Sequence, residues 1–215
     1  MIDLIKFLFD FIMHIDEHLI SIVQDFGFWT YGIMFAIVFV ETGVVIFPFL
    51  PGDSLLFASG ALAAIGGLQL PLVLLTYFVA AVLGDSLNFE IGKRVGTTIR
   101  PGSFLGRFIK PENVDKAQQF FMKHGGKTVL IARFMPFIRT FIPFVAGASR
   151  MHYGYFFIYN VIGGALWTAV CVFAGYFFGN ISFIKENFSV VVLAIIFISA
   201  LPAMIGIVKA KFSKK

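Results

Sequence analysis

Long apolar runs alternate with short polar stretches along this chain. No charged residue lies between Asp53 and Asp85. Between residues 150 and 185, only His152 can ionise near neutral pH. Both runs are longer than the roughly 20 apolar residues that a helix needs to cross a bilayer. The pattern predicts an all-α membrane protein with several membrane segments.

Prolines interrupt the apolar pattern around residue 50. An apolar run ends at Glu41, and Pro48 and Pro51 then prevent a helix from continuing. The helix expected over residues 53–66 rises about 20 Å, whereas the hydrocarbon core is about 30 Å thick. Because this helix is too short to cross, we predict a re-entrant hairpin.

A second apolar segment, KTVLIARFMPFIRTFIPFVAGAS, repeats this pattern because two prolines interrupt it. Each interrupted segment precedes a longer apolar helix that can span, the first starting at Pro71 and the second at Tyr153. Both long helices end in a G-x-x-x-G pattern, formed by Gly92, Gly96, Gly175 and Gly179. We interpret the halves as repeats, although unrelated membrane segments can also look alike. A returning hairpin plus one spanning helix makes an odd number of crossings, so the second repeat is predicted to be inverted.

These segments divide a single membrane domain, residues 1–215, into five parts. They are an N-terminal interfacial or partly buried helix at 1–25, a first repeat at 26–96, a connection at 97–127, a second repeat at 128–180, and a C-terminal span with a basic tail at 187–215. The first part carries too many charges to span yet enough apolar residues to lie on a membrane.

Composition agrees with this organisation. Hydrophobic residues make up 59% and charged residues 13% of the 215 residues, a balance that excludes a soluble domain of this size. The formal net charge is +5, and the basic residues cluster in the connection and the tail. The positive-inside rule therefore predicts that both are cytoplasmic. Their position gives no reason to expect a nucleic-acid partner, and the sequence makes no prediction of oligomeric state.

The residues that usually carry metal or covalent chemistry are sparse. Cys171 is the single cysteine, which excludes an internal disulfide and a cysteine-built metal site. Asp10, His14 and His18 share one helical face, but an interfacial polar stripe has the same pattern. No hydrolase, metalloprotease or phosphate-loop motif is present. We therefore expect no metal, no cofactor and no enzyme activity.

Four charged residues lie inside the apolar hairpins. A charge at the centre of a bilayer costs roughly 2.5 to 3.5 kcal/mol, so each must be compensated. The acids belong to the first hairpin and the arginines to the second, so opposite charges neutralise each other if the hairpin tips meet. These residues are Glu41, Asp53, Arg133 and Arg139. The alternative is that such pairs only stabilise the fold.

The same residues suggest how an anion binds. The segment Pro51-Gly52-Asp53-Ser54 is typical of a helix start, with Asp53 or Ser54 as the cap, and anions bind at such ends. Arginine presents a planar fork that matches phosphate oxygens and does not deprotonate. A lipid phosphate can therefore displace the carboxylates, and an acid released into apolar surroundings binds a proton. We predict that Glu41 and Asp53 couple protons and that the arginines bind the phosphate.

Other polar residues have smaller expected roles. Gly52 and Ser54 are accessory candidates at the helix start. Asp85 shares a helical face with Asn88 and either extends a proton path or serves as a structural hydrogen-bond acceptor. Glu90 and Arg94 are expected to form an ordinary surface pair, and both tryptophans are expected to face lipid or the interface.

The two interrupted segments, ETGVVIFPFLPGDSLLFASGAL and ARFMPFIRTFIPFVAGASRM, resemble those of the bacterial DedA family. The likeness extends over nearly the whole chain. It implies an inner-membrane protein with two opposed re-entrant hairpins, related in fold to eukaryotic lipid scramblases. It also implies proton-motive-force-linked transport, with undecaprenyl phosphate as the leading substrate. The family's essential acids fall on Glu41 and Asp53, and its essential arginines on Arg133 and Arg139.

Three alternatives remain beside a flippase for a lipid phosphate. The first is a phospholipid scramblase. The second is a proton antiporter for a small ion or osmolyte, because intramembrane carboxylates also bind cations. The third is a membrane scaffold whose charges are structural.

Overall fold

The computed structural model describes residues 25–44, 52–95, 125–135 and 138–181. All regular structure in these ranges is helical, which confirms the all-α class for this part of the chain. The six helices are α1 (Phe28–Gly43), α2 (Gly52–Ala64), α3 (Leu70–Val95), α4 (Lys127–Ala132), α5 (Phe141–Ala148) and α6 (Tyr153–Gly179). The predicted interfacial helix, most of the basic connection and the C-terminal span lie outside the described residues.

Helices α3 and α6 are the two long apolar helices of the described part, with 26 and 27 residues. At 1.5 Å per residue each rises about 40 Å, more than the roughly 30 Å of a hydrocarbon core. Both are long and apolar enough to cross a membrane. Pro71 occupies the first turn of α3, as the sequence predicts, where its missing N–H breaks no helical hydrogen bond.

The helices that flank residue 50 are short. Helix α1 has 16 residues and α2 has 13, so α2 rises only about 20 Å. Helix α2 begins at Gly52, so Asp53 and Ser54 lie within its first turn and the expectation that one of them is the cap is wrong. Proline and glycine ahead of these residues also favour a helix start, and Asp53 instead places its carboxylate in the positively polarised first turn.

The chain divides into two compact units. The first contains α2, the N-terminal parts of α1 and α3, and the C-terminal part of α6. In this unit α2 and α6 meet backbone to backbone. A Cβ on Gly60 would overlap the carbonyl oxygen of Val172, and a Cβ on Gly175 would overlap that of Phe57. The glycines therefore permit a helix contact that alanine does not.

The second unit contains α4, α5 and the remaining parts of α1, α3 and α6. Here the same contact joins α5 to α3. A Cβ on Gly147 would overlap the carbonyl oxygen of Phe89, and a Cβ on Gly92 would overlap that of Phe144. In each unit, a short helix with the spacing F-x-x-G thus packs against a long helix whose contacting residues are also three apart.

Helices α2 and α5 end in the same hydrogen-bonded motif. The N–H of Gly67 donates to the carbonyl of Leu62 at 2.9 Å, and the N–H of Met151 donates to that of Ala146 at 3.1 Å. Gly66 supplies the left-handed residue of the first motif with φ 83°, whereas Arg150 adopts φ 56° in the second. Such a position favours glycine, so Arg150 is under backbone strain.

Candidate functional site

Two acid–arginine pairs lie in the second unit. Arg139 Nη2 donates to Oε1 of Glu41, and Arg133 Nη2 donates to Oδ2 of Asp85. The exposed fractions of the side chains are 12% for Arg139, 1% for Glu41, 5% for Arg133 and 7% for Asp85. All four groups are therefore shielded, and their formal charges sum to zero.

One of these pairs differs from the expectation. Arg133 pairs with Asp85 of α3 and not with an acid of the first hairpin. The reason is that the buried face of α3, which carries Asp85 and Asn88, lines the same unit as the arginine-bearing segment. Asp85 is thus a member of the site and not only an accessory residue at its edge.

Asn160 on α6 holds the Arg133 guanidinium. Arg133 Nη2 donates to Asn160 Oδ1 at 2.6 Å, and Asn160 Nδ2 donates to the carbonyl of Val82 at 3.0 Å. Gly163 and Gly164 leave room for the Arg133 side chain. A Cβ on Gly163 would lie 3.4 Å from Nε of Arg133, and a Cβ on Gly164 would lie 3.3 Å from its Nη1. Arg133 is therefore held by α6 as well as by its ion pair with α3.

Asn88 on α3 has the corresponding position beside the other pair. Its Nδ2 donates to the carbonyl of Thr42 at 3.0 Å and to that of Thr140 at 2.7 Å. Thr42 follows Glu41 in the chain, and Thr140 follows Arg139. One fully buried amide thus connects the two backbone segments that carry the ion pair, and it sets their separation.

Trp167 lies beside both guanidinium groups. Its ring centroid is 5.0 Å from Cζ of Arg139 and 6.0 Å from Cζ of Arg133. At these distances the indole face attracts a cation, most strongly when water is excluded. Trp167 is only 3% exposed, so the expectation that it faces lipid is wrong, whereas Trp29 is 76% exposed. Helix α6 is apolar on every side, so periodicity does not reveal which face is buried.

A small cavity adjoins the two pairs. It is lined by Thr42, Asp85, Arg133, Arg139, Thr140 and Trp167, and its volume is about 10 Å³. That volume holds about one water molecule and does not admit a phosphate group. In this conformation the carboxylates of Glu41 and Asp85 contact the guanidinium groups.

The remaining sequence-predicted site residues belong to the first unit. Asp53 is exposed in the first turn of α2, and Gly52 and Ser54 are buried there, all in the first unit. Their proposed roles stay predictions. The surface pair between Glu90 and Arg94 is confirmed, with Nε and Oε1 2.8 Å apart.

The described ranges contain no group of three metal-ligating side chains of the His, Cys, Asp and Glu types. The stripe of Asp10, His14 and His18 lies outside them.

Comparisons with known proteins cover most of the chain. Residues 50–177 match the model of the VTT domain. The chain is 46% identical over 213 residues to the protein DedA of Escherichia coli K12, covering 97% of this chain and 96% of that protein. It is 43% identical over 173 residues to an uncharacterized membrane protein of Mycobacterium leprae, covering 79% and 76% of the two chains.

A more distant relative is the inner membrane protein YqjA of Escherichia coli K12. It is 36% identical over 150 residues, which cover 70% of this chain and 68% of that protein. No solved structure matches the chain significantly. The matched domain contains Asp85, Arg133 and Arg139, and Glu41 precedes it.

Proposed function

The chain belongs to the DedA family of membrane proteins, and on this basis we propose that it moves the phosphate headgroup of a lipid across the bacterial inner membrane with protons. The observation that carries the proposal is the pair of buried acid–arginine contacts beside one indole. The family likeness favours undecaprenyl phosphate as the lipid. In this role the protein is a transporter and not an enzyme.

The arginines suit a phosphate ligand. A guanidinium stays charged at any physiological pH and offers two parallel N–H donors to two oxygens. In the described conformation, carboxylates take that place at Arg139 and Arg133. A headgroup that entered the site would replace a carboxylate oxygen by a phosphate oxygen, and the arginine would remain paired throughout.

Proton coupling follows from the displaced acid. Leaving one partner of a buried pair without its opposite charge costs about 3–5 kcal/mol. An acid that loses its guanidinium avoids this cost by binding a proton. Glu41 is this acid in the described site, and Asp53 is the other candidate by family likeness. The headgroup and the proton therefore bind together and are released together.

The transport cycle rests on two inverted repeats, each with a re-entrant hairpin and a spanning helix. The repeated glycine contact supports this proposal, because short and long helices meet with the same spacing in each unit. The small cavity means that the headgroup enters only after the site opens. The basic tail favours a cytoplasmic C-terminus.

Cation antiport fits the site less well. A cation would need a carboxylate whose charge is not already neutralised, and Glu41 and Asp85 each pair with an arginine. An arginine beside the bound cation would also repel it. A scramblase moves lipids without protons, so the proton requirement separates it from the function proposed here.

Transport in liposomes tests the proposal. The purified protein is reconstituted with a polyprenyl monophosphate, and the fraction accessible to an added phosphatase is followed after an inward proton gradient is imposed. Wild type should make the phosphate inaccessible faster than empty liposomes do, and a protonophore should slow this change.

The matched control is a second arginine-to-glutamine change. Arg139→Gln removes a buried arginine of the site, whereas Arg94→Gln removes an arginine that is 77% exposed and pairs only on the surface. Arg139→Gln should abolish the acceleration and Arg94→Gln should retain it. Equal rates for wild type and empty liposomes would exclude lipid-phosphate transport.

A further inference from the structure

The site holds two ion pairs where a singly charged headgroup needs one. Both arginines line the same cavity, and both lie beside the ring of Trp167. The Asp85–Arg133 pair is as buried as the Glu41–Arg139 pair. Burying a second ion pair is costly, and the fold already has an asparagine on each spanning helix to join its elements. The second pair is therefore best explained by a ligand that binds to its arginine.

We infer that Asp85 and Arg133 form the second half of the anion site, which accepts a phosphate group with two negative charges, a phosphate monoester, together with two protons. This inference rests on the proposed transport function. It adds a proton-accepting role for Asp85 and a number of protons that is set by the charge of the lipid.

Charge balance supports this assignment. The titratable or charged side chains lining or paired at the site are Glu41 from α1, Asp85 from α3, and Arg133 and Arg139 from the segment between α4 and α5. Unloaded, these groups sum to zero. A monoester carries nearly two negative charges above pH 7, because its second pKa is about 6. When it displaces both carboxylates and each binds a proton, the loaded site is again neutral.

A phosphodiester does not balance in the same way. It carries one negative charge, so it can replace only one carboxylate before the site acquires a net positive charge. A net charge inside the bilayer costs free energy. A diester should therefore displace one carboxylate and bring about one proton, whereas a monoester displaces both and brings about two.

The test counts protons and lipids in the same vesicles. The full chain is reconstituted at pH 8, where the monoester is fully ionised, with either a polyprenyl monophosphate or a phosphatidylglycerol, each carrying the same dithionite-sensitive label. Lipid movement is read from protection of the label, and proton movement from an enclosed pH dye. Wild type should move about two protons per monoester and about one proton per diester.

A charge-neutral double variant isolates the second pair. Asp85→Asn with Arg133→Gln removes one charge of each sign, and it should lower the ratio for the monoester to about one proton per lipid and leave the ratio for the diester unchanged. Glu90→Gln is the matched control on the same helix, because Glu90 pairs only at the surface. It should leave both proton-to-lipid ratios unchanged.

The outcomes separate the two proposals. A wild type that moves the monoester with one proton, or a double variant that still moves the monoester with two, overturns the two-charge site and leaves the transport function standing. A wild type that moves neither lipid overturns both. If the double variant does not fold, the wild-type ratio alone decides.

Discussion

Replacing Arg139 by glutamine would take from Glu41 the guanidinium that neutralises it. The Glu41 side chain is 1% exposed, so water cannot replace the lost partner. An unneutralised carboxylate in such a place costs about 3–5 kcal/mol. The alternative is protonation, which for a carboxyl with the usual glutamate pKa near 4.3 costs about 4 kcal/mol at pH 7. The two costs are similar, so we expect the variant to lose about 3–4 kcal/mol of unfolding free energy at pH 7.

The loss should depend on pH in a defined direction. The cost of protonation falls by about 1.4 kcal/mol for each unit of pH. Between about pH 5 and pH 7 the folded variant holds a proton on Glu41 that its unfolded chain lacks, so its stability rises as the pH falls. Between pH 7 and pH 5 the variant should regain roughly 2–3 kcal/mol relative to wild type. Adding Glu41→Gln removes the charge itself, and this double variant should be near wild type at both pH values.

Denaturant unfolding in lipid–detergent micelles at pH 7 and pH 5 measures these differences. Arg94→Gln is the control, because it removes an exposed arginine from a surface pair, whose contribution to stability is small. If Arg139→Gln unfolds at the wild-type denaturant concentration at pH 7, or if its deficit is the same at pH 5, Glu41 and Arg139 are not a buried pair and the reasoning fails.

Three further predictions concern other residues. Trp167→Phe keeps an aromatic face beside the arginines, so its lipid concentration for half-maximal transport should stay near that of wild type. Trp167→Leu should raise that concentration severalfold with little change in maximal rate. The same half-maximal concentration in both variants would refute a role for the aromatic face. Gly147→Ala should destabilise the protein by about 1–3 kcal/mol in thermal unfolding. Gly32→Ala should not, because a Cβ at position 32 would have its nearest neighbouring atom 3.8 Å away. Equal stabilities of the two variants would contradict the backbone contact at Gly147. Arg150→Gly should raise the melting temperature by relieving up to about 1 kcal/mol of strain at φ 56°, and a lower one would mean that the Arg150 side chain makes a stronger contribution.

Much of the architecture follows from short-range patterns. The charge-free runs predict α3 and α6, and Pro71 marks the start of α3. The glycine pair after α2 agrees with the observed end of that helix at Ala64. These predictions succeed because length, apolar composition and proline chemistry are local properties. The short lengths of α1 and α2 agree with the expected re-entrant hairpin, although the hairpin and the inverted repeat stay predictions.

The site was only partly predictable. Opposite charges in the two interrupted segments predict contacts between acids and arginines without assigning partners, and Glu41 and Arg139 form one such pair. The partner of Arg133 is not predictable from the sequence. Asp85 lies 48 positions away in the chain, and the pattern of its helix does not indicate an ion pair with that arginine. Asn160 carried a weak signal as a lone amide within an apolar run. Trp167 carried none, since the contacts that define its role are tertiary.

The position of Trp167 gives the protein its own optical reporter. The chain has only two tryptophans, and Trp29 is largely exposed. In a Trp29→Phe background, all indole emission would come from the residue that lies within 6.0 Å of both arginine Cζ atoms. Departure of a guanidinium from the ring changes the field at the indole and hence the colour of its emission. Ligand entry could then be followed in real time without attaching a dye.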